Sequence, residues 1–319
     1  MIRSEKDYVA GLKRQAKKDV WIAGRRVGDV TTDPIFKRPI EAIAALFDLQ
    51  CGRADGVRMT AGEKTDQYGI SFLVPRSADD IIERRKAMEV WARATFGMVG
   101  RSPDYCNTVL MAFEETGFFH QLGQDFGKNL TNYYDYCRKN DLFLTHAIVN
   151  PQTDRSKTSK EQESAYAHLG VVNKNADGLI VRGAKMLATH GPTADELIVY
   201  PLPGSVAAGE EKYALAFGIP TDTPGLKFIC REPFDDGAMS HWDHPLGSRF
   251  EEPDAMVVFD DVLITWDRVF LHDNVAMANK LFTSASIQNN TGHQTAVRGL
   301  IKCQFLVGVA IAVSRSGSS

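Results

Sequence analysis

Two short stretches hold side chains that could do chemistry together. In 98-MVGRSPDYCN-107, Gly100 permits a turn and Pro103 fixes one, so Arg101 and Tyr105 can project from a helix end. Composition alone also fits a surface loop with a solvated arginine. In 142-LFLTHAIVNPQTDR-155 an apolar strand breaks at Asn150-Pro151. Strand side chains alternate faces, so Leu142, Leu144, His146 and Ile148 share one side and Phe143, Thr145, Ala147 and Val149 the other. His146 is the only titratable group on its face. It is either a core histidine hydrogen-bonded to a neighbour or a site residue. Pro151 cannot continue a central ladder, so Gln152, Thr153, Asp154 and Arg155 should lie at one rim of the β module. At such a rim an arginine can bind the oxyanion of a phosphate-bearing ligand.

The elements that must position these residues fall into three blocks. Residues 1–141 read mainly as helix. Ser4 with Asp7 and Ser77 with Asp80 resemble helix-opening capping pairs, and Asp33-Pro34 offers an N-cap followed by proline at the first helical position. The stretch 20-VWIAGRRVGDV-30 reads as a hairpin turning near Gly24, and 70-ISFLV-74 as a short strand. The helix opened by Ser77 should bury Ile81, Met88, Trp91 and Thr95 and end at Gly97 and Gly100, leaving 83-ERRK-86 as a solvated face. One longer helix should carry Phe119, Leu122, Phe126, Leu130, Tyr134 and Cys137, aromatics that read as core. Residues 142–272 show short β-runs, among them 179-LIVRG-183, 196-ELIVY-200, 213-YALAFGI-219, 226-LKFIC-230, 255-AMVVF-259 and 262-VLI-264. Turns punctuate them at 176–178, 223–225 and Asp260-Asp261. This is an all-β module, a barrel or sandwich. Residues 273–319 return to helix, and 293–315 is apolar around much of its circumference. It needs partners on several sides, so the chain reads as cut short or completed by another subunit.

Composition narrows the function. The 319 residues are 44% hydrophobic and 24% charged with a net charge of −3, which suits a soluble globular chain and offers nothing to a polyanion such as nucleic acid. Five scattered cysteines have no paired spacing, as expected of free thiols in a reducing cytoplasm. The apolar run 305–313 is too short to span a bilayer, so no membrane role is expected. No Rossmann or P-loop fingerprint and no G-x-S-x-G elbow occurs. His293 and Cys303 lie almost three helical turns apart, too far for a metal pair, and no metal site is expected.

In order along the chain, 30-VTTDPIF-36, 77-SADD-80, 100-GRSPDY-105, 145-THAIVNPQTDR-155, 177-DGLIVRGAKMLATHG-191, 248-SRFEEPDA-255 and 260-DDVLITWDRVF-270 resemble the oxygenase component of the 4-hydroxyphenylacetate 3-monooxygenase family, the two-component flavin-dependent phenol hydroxylases. The resemblance implies an α+β multidomain, acyl-CoA dehydrogenase-like fold: an N-terminal helical domain, a middle β-barrel and the start of a C-terminal helical bundle. It implies FADH2-dependent hydroxylation of a phenol ortho to its hydroxyl, with O2 as co-substrate, reduced flavin from a separate reductase, and a homodimer or homotetramer. On the matching positions, Arg101, Tyr105 and His146 would contact the phenol oxygen. His146, Ile148, Gln152, Thr153, Asp154, Arg155 and Thr189 would touch the FAD. A cation and an imidazole at that oxygen would favour the phenolate, the better nucleophile.

The loop 201-PLPGS-205 would meet the far end of the substrate through Pro201 and Leu202. Relatives acting on 4-hydroxyphenylacetate tend to have Ser or Thr there, whereas Pro201 and Pro203 have no N–H to donate, which allows another phenol. Two other readings stand beside this one. A 4-hydroxybutyryl-CoA dehydratase-like FAD enzyme would need a C-x-x-x-C pair that is missing. A catalytically inactive fragment acting as an assembly partner would rest on the truncated bundle alone.

Overall fold

Helix starts follow the local chemistry. In a computed structural model describing residues 2–52, 56–122, 125–235, 240, 242–284 and 286–317, helix α1 (Glu5–Arg14) opens on the Ser4–Asp7 capping box. Strands β1 (Asp19–Ile22) and β2 (Arg25–Val27) form the expected hairpin, with Gly24 at φ +75°. Helix α2 (Pro34–Cys51) starts on Asp33, whose carboxylate accepts from the Ile35 N–H. It buries Phe36, Ile40, Ile43 and Phe47. The two-residue strands β3 (Thr60–Ala61) and β4 (Tyr68–Gly69) pair, and residues 70–72 form a 3-10 turn rather than the expected strand. The reason is Arg84. Its guanidinium gathers the carbonyls of Ile70, Ser71 and Leu73 at 3.1, 2.7 and 2.8 Å, which a sheet ladder could not offer to one donor group.

Arg84 lies in α3 (Ala78–Ala94), opened by the Ser77–Asp80 box. The helix buries Met88 and Trp91 as expected, with Thr95 just beyond it also buried, but Ile81 is 47% exposed and Arg84 only 3%. The 83–86 run is therefore not a uniformly solvated face. Helices α4 (Pro103–Glu115) and α5 (Phe126–Asn140) follow, with a separate 3-10 turn over Phe118–Leu122. The single long helix expected across 119–137 is thus two elements, and residues 123 and 124 between them lie outside the described residues.

The β region builds two sheets. Strands β5 (Leu144–Ala147), β6 (Gly170–Lys174), β7 (Gly178–Thr189), β8 (Glu196–Val199), β9 (Leu215–Pro220), β10 (Leu226–Cys230), β11 (Asp254–Thr265) and β12 (Val269–His272) assemble with β1 and β2. One sheet runs β2-β1-β10-β11-β7-β6 and the other β12-β9-β8-β5. They enclose a shared core of Ala147, Leu197, Phe217, Phe228, Val257 and Phe259. The N-terminal hairpin joins this module through parallel pairing of β1 with β10. Asp260-Asp261 is not a turn between two strands. It is a bulge inside the continuous β11, with Asp261 at φ 52° and the register against β7 shifting between Phe259 and Val262.

Helices α6 (Val275–Ser284) and α7 (Ile287–Ser316) close the chain. The first turns of α7 bury Ile287, Thr291, Gln294, Val297 and Ile301, while Leu306, Val307, Val309, Ile311 and Val313 are exposed. By length and composition alone, the stretch from Val275 to Ser316 is apolar enough to cross a membrane. An incomplete bundle presents the same pattern.

Candidate active site at the helix–sheet seam

Parallel pairing of β5 with β8 sets His146 opposite Ile198. The expected alternation of faces holds. Phe143 and Ala147 enter the core between the sheets, while Leu144, Ile198 and Tyr200 enter a second core shared with α4 and α5, with Leu142 and Ile148 packed against it. His146 therefore looks away from the β interior and towards α4.

Arg101 lies just before α4 and Tyr105 in its first turn. The Arg101 guanidinium stacks over the Tyr105 ring at 4.0 Å, a cation–π contact. The Tyr105 ring meets the His146 ring edge-on at 5.5 Å. His146 Nδ1 lies 2.9 Å from the Tyr200 hydroxyl. Two residues of one stretch and a histidine some forty residues on thus form one continuous stack, with Tyr200 behind it. Burial lowers the His146 pKa to about 3, helped by the positive charge of Arg101, so the imidazole is neutral near pH 7. Burial raises Tyr105 and lifts Tyr200 well above the usual phenol range, so both hydroxyls keep their protons.

The segment carrying Arg101 is held from two sides. Glu252 accepts the Arg101 backbone N–H at 2.7 Å, and Arg298 of α7 donates to the Gly97 carbonyl at 3.0 Å. Gly97 sits at φ +69°, and a Cβ there would come within 2.8 Å of the α7 backbone, so the close approach requires glycine. Asp104, on α4, accepts from Ser102 and from Gln294 of α7 at 3.3 Å, and burial raises its pKa to about 6.

Beside Arg101 opens a cleft of about 450 Å³, lined among others by Met98, Leu187, Thr189, Phe250 and Asp254. The Thr189 hydroxyl donates to Asp254 at 2.7 Å, and its carbonyl accepts from Thr145 at 2.6 Å. Arg231 offsets Glu251 and Asp254 at 2.6 and 3.1 Å. Among the described residues, Arg101 Nε and His190 Nε2 are buried without a hydrogen-bond partner. A slot edged by hydroxyl, carboxylate and guanidinium groups beside apolar side chains has the chemistry to take a flat heteroaromatic ring with polar edges.

The other expected site residues are placed differently. Thr189 lines the cleft beside Arg101, but Gln152, Thr153, Asp154 and Arg155 do not. They form an exposed turn pinned by Gln162, which accepts from the Thr153 hydroxyl at 2.6 Å and donates to the Asp154 carbonyl at 2.8 Å. The Asp154 carboxylate is held below its usual range by hydrogen bonds from Ser156. The Ile148 carbonyl accepts from Lys185, a buried ammonium whose pKa burial lowers to about 8. Pro201 is buried and Leu202 half-buried, immediately after Tyr200, and their loop is tied to α6 by Asn279 Nδ2 donating to the Val206 carbonyl at 2.8 Å.

Sequence reasoning missed Tyr200, Glu252 and His190. Tyr200 ends the quoted run 196-ELIVY-200, but its place beside His146 depends on the parallel register of β5 and β8, which the sequence does not show. The other two lie in quoted motifs, without any signal of their contacts. Among the described residues no group of three or more His, Cys, Asp or Glu side chains is placed to hold a metal.

Helical layer, two-sheet β module and returning helices, with an arginine–tyrosine–histidine stack at their seam, make this an α+β chain with its candidate site between the helical and β parts. The chain belongs to the 4-hydroxyphenylacetate 3-hydroxylase family, whose N-terminal model matches residues 4–271. It is 41% identical, over 98% of its length and 63% of the relative's, to the 4-hydroxyphenylacetate 3-monooxygenase oxygenase component of Geobacillus sp. (strain PA-9). It is 34% identical to the oxygenase component of a 4-nitrophenol 2-monooxygenase from Rhodococcus sp., over 95% of this chain and 58% of that one. The crystal structure of a 4-hydroxyphenylacetate 3-monooxygenase oxygenase component complexed with FAD superposes with a TM-score of 0.90 at 41% identity, covering 98% of this chain and 64% of that one. An archaeal 4-hydroxybutyryl-CoA dehydratase from N. maritimus shares the fold at a TM-score of 0.86 and 22% identity. The chain thus spans less than two thirds of the length of these relatives.

Proposed function

We propose that this chain is the phenol-binding part of the oxygenase component of a two-component flavin-dependent monooxygenase, hydroxylating a phenol ortho to its hydroxyl to give a catechol. The observation that carries this reading is the stack of Arg101, Tyr105 and His146 beside a cleft edged by Thr189. Arg101 supplies positive charge at a half-buried place. There it stabilises an aromatic hydroxylate over the neutral phenol and raises electron density at the ortho carbon. Neutral His146 contributes a hydrogen bond rather than a second charge, and Tyr105 a hydroxyl that stays protonated. The buried His146 with half-buried Arg101 and Tyr105 over it would limit water at the reacting oxygen. Thr189, Arg101 and His146 would hold FAD, with Ile148 and the 152–155 turn further along it. When bound in its reduced form, FAD supplies with O2 the electrophilic oxygen.

Pro201 and Leu202 follow Tyr200 directly and would line the substrate's far end, where Pro201 and Pro203, having no N–H, suit a phenol lacking an acetate arm. The partner is a separate NAD(P)H:flavin reductase, and the subunits form a homodimer or homotetramer in the cytoplasm. Cys51, Cys106, Cys137, Cys230 and Cys303 are all free thiols, which supports that location.

The test is to give the purified chain chemically reduced FAD, oxygen and a panel of simple phenols, and to look for catechols. Product in air and none under nitrogen supports the reading. No product in air from protein that binds reduced flavin overturns it.

A further inference from the structure

A neutral imidazole has one N–H, so the partner of one ring nitrogen decides what the other offers. His146 Nδ1 faces the Tyr200 hydroxyl at 2.9 Å, the rings 5.8 Å apart and inclined at 42°. Tyr200 is 1% exposed, and Phe113 packs edge-on against its ring at 5.3 Å. Among the described residues, His146 Nδ1 is the only hydrogen-bond partner of that hydroxyl. A phenolic hydroxyl has one proton to give. Were Nδ1 protonated, it would donate to Tyr200 and leave the tyrosine's own proton without an acceptor in a dry interior, an arrangement folded proteins avoid. With the proton on Nε2, Tyr200 donates to the Nδ1 lone pair and both groups are satisfied.

We propose that Tyr200 is a positioning residue for His146: its hydroxyl donates to Nδ1, holds the ring as the Nε2–H tautomer, and so presents an N–H donor at the seam occupied by Arg101 and Tyr105. The tautomer decides between two roles. A bare Nε2 would act as a base towards a phenol, whereas Nε2–H donates to a phenolate already favoured by Arg101. This extends the proposed phenol hydroxylation and rests on it for the identity of the acceptor, but not for the tautomer.

The experiment is ring nitrogen-15 NMR on histidine-labelled, ligand-free protein, with the His146 signals assigned by their loss in His146→Gln. The expected result is a protonated Nε2 and a bare Nδ1, and a protonated Nδ1 overturns the proposal. In Tyr200→Phe, the expected result is a mixture of tautomers, with kcat for catechol formation down about tenfold and KM little changed. A folded variant that keeps the pure Nε2–H form with wild-type kcat also overturns it. Nε2–H in a protein that hydroxylates no phenol would leave Tyr200 in its role and count against the proposed function instead.

Discussion

Replacing Arg84 with methionine should destabilise the protein far more than the same change one residue later. The Arg84 guanidinium donates to the carbonyls of Ile70, Ser71 and Leu73 and, at 3.0 Å, to the Thr108 hydroxyl on α4. Methionine fills the volume but donates nothing. The Ile70 carbonyl keeps the Leu73 N–H at 3.0 Å, and Leu73 is only half-buried, so its carbonyl recovers water. The Ser71 carbonyl loses its donor in the interior, and an unsatisfied buried carbonyl costs about 1–3 kcal/mol. The lost charge-assisted bonds to Leu73 and Thr108 add to this, partly offset because the cation is no longer buried. Burial lowers the Arg84 pKa to about 10, the sign of that offset.

The net expectation is about 3 kcal/mol, within the range for removing one partner from a buried polar network. At about 2–4 °C per kcal/mol, the melting temperature falls by roughly 6–12 °C. Arg85 is exposed and pairs with Glu89 at 3.0 Å along the helix, a contact worth about 0.3–0.5 kcal/mol. Arg85→Met should therefore shift melting by about 2 °C at most. Thermal scans of both variants at one scan rate decide the matter. Equal shifts would refute the claim that Arg84 organises the 70–73 turn.

Two further predictions concern the stack. Arg101→Lys keeps the charge but loses the planar guanidinium 4.0 Å above Tyr105, and should lower kcat/KM for a phenol between about tenfold and a hundredfold; a wild-type value would remove the stack from the account. His146 has a folded-state pKa of about 3 against an ordinary 6.5, so below the ordinary value the unfolded chain takes up a proton that the folded protein refuses. This contribution to stability is whole above pH 6.5 and is lost as pH falls towards 3, about 2 kcal/mol of it by pH 5. Urea denaturation at pH 7 and pH 5 should show that slope in the wild type and a shallower one in His146→Gln. Equal slopes would mean that the buried imidazole is not held neutral.

Local rules explain what was legible from sequence. Capping pairs at Ser4–Asp7 and Ser77–Asp80, Gly24 in its hairpin and the alternation along β5 each depend on a few neighbouring residues, and each is found in the structure. The misses share the opposite property. Arg84 looks like any surface arginine until the 70–73 carbonyls turn towards it. Asp260-Asp261 reads as a turn because both residues favour one, yet pairing with β7 on either side carries the strand through as a bulge. The 152–155 turn is pinned by hydrogen bonds to Gln162, ten residues beyond Gln152, a contact its own composition does not announce. Tyr200 is silent in sequence because its role depends on a parallel register between strands some fifty residues apart.

The central claim is that Arg101, Tyr105 and His146 together favour an ionised aromatic hydroxyl. The visible absorption of 4-nitrophenol reports its ionisation directly. Titrated with the protein at a pH below the probe's solution pKa, it should gain the phenolate band, and the gain should vanish with Arg101→Met. Probe that binds and stays neutral, or ionises equally on the Arg101→Met protein, would contradict the account.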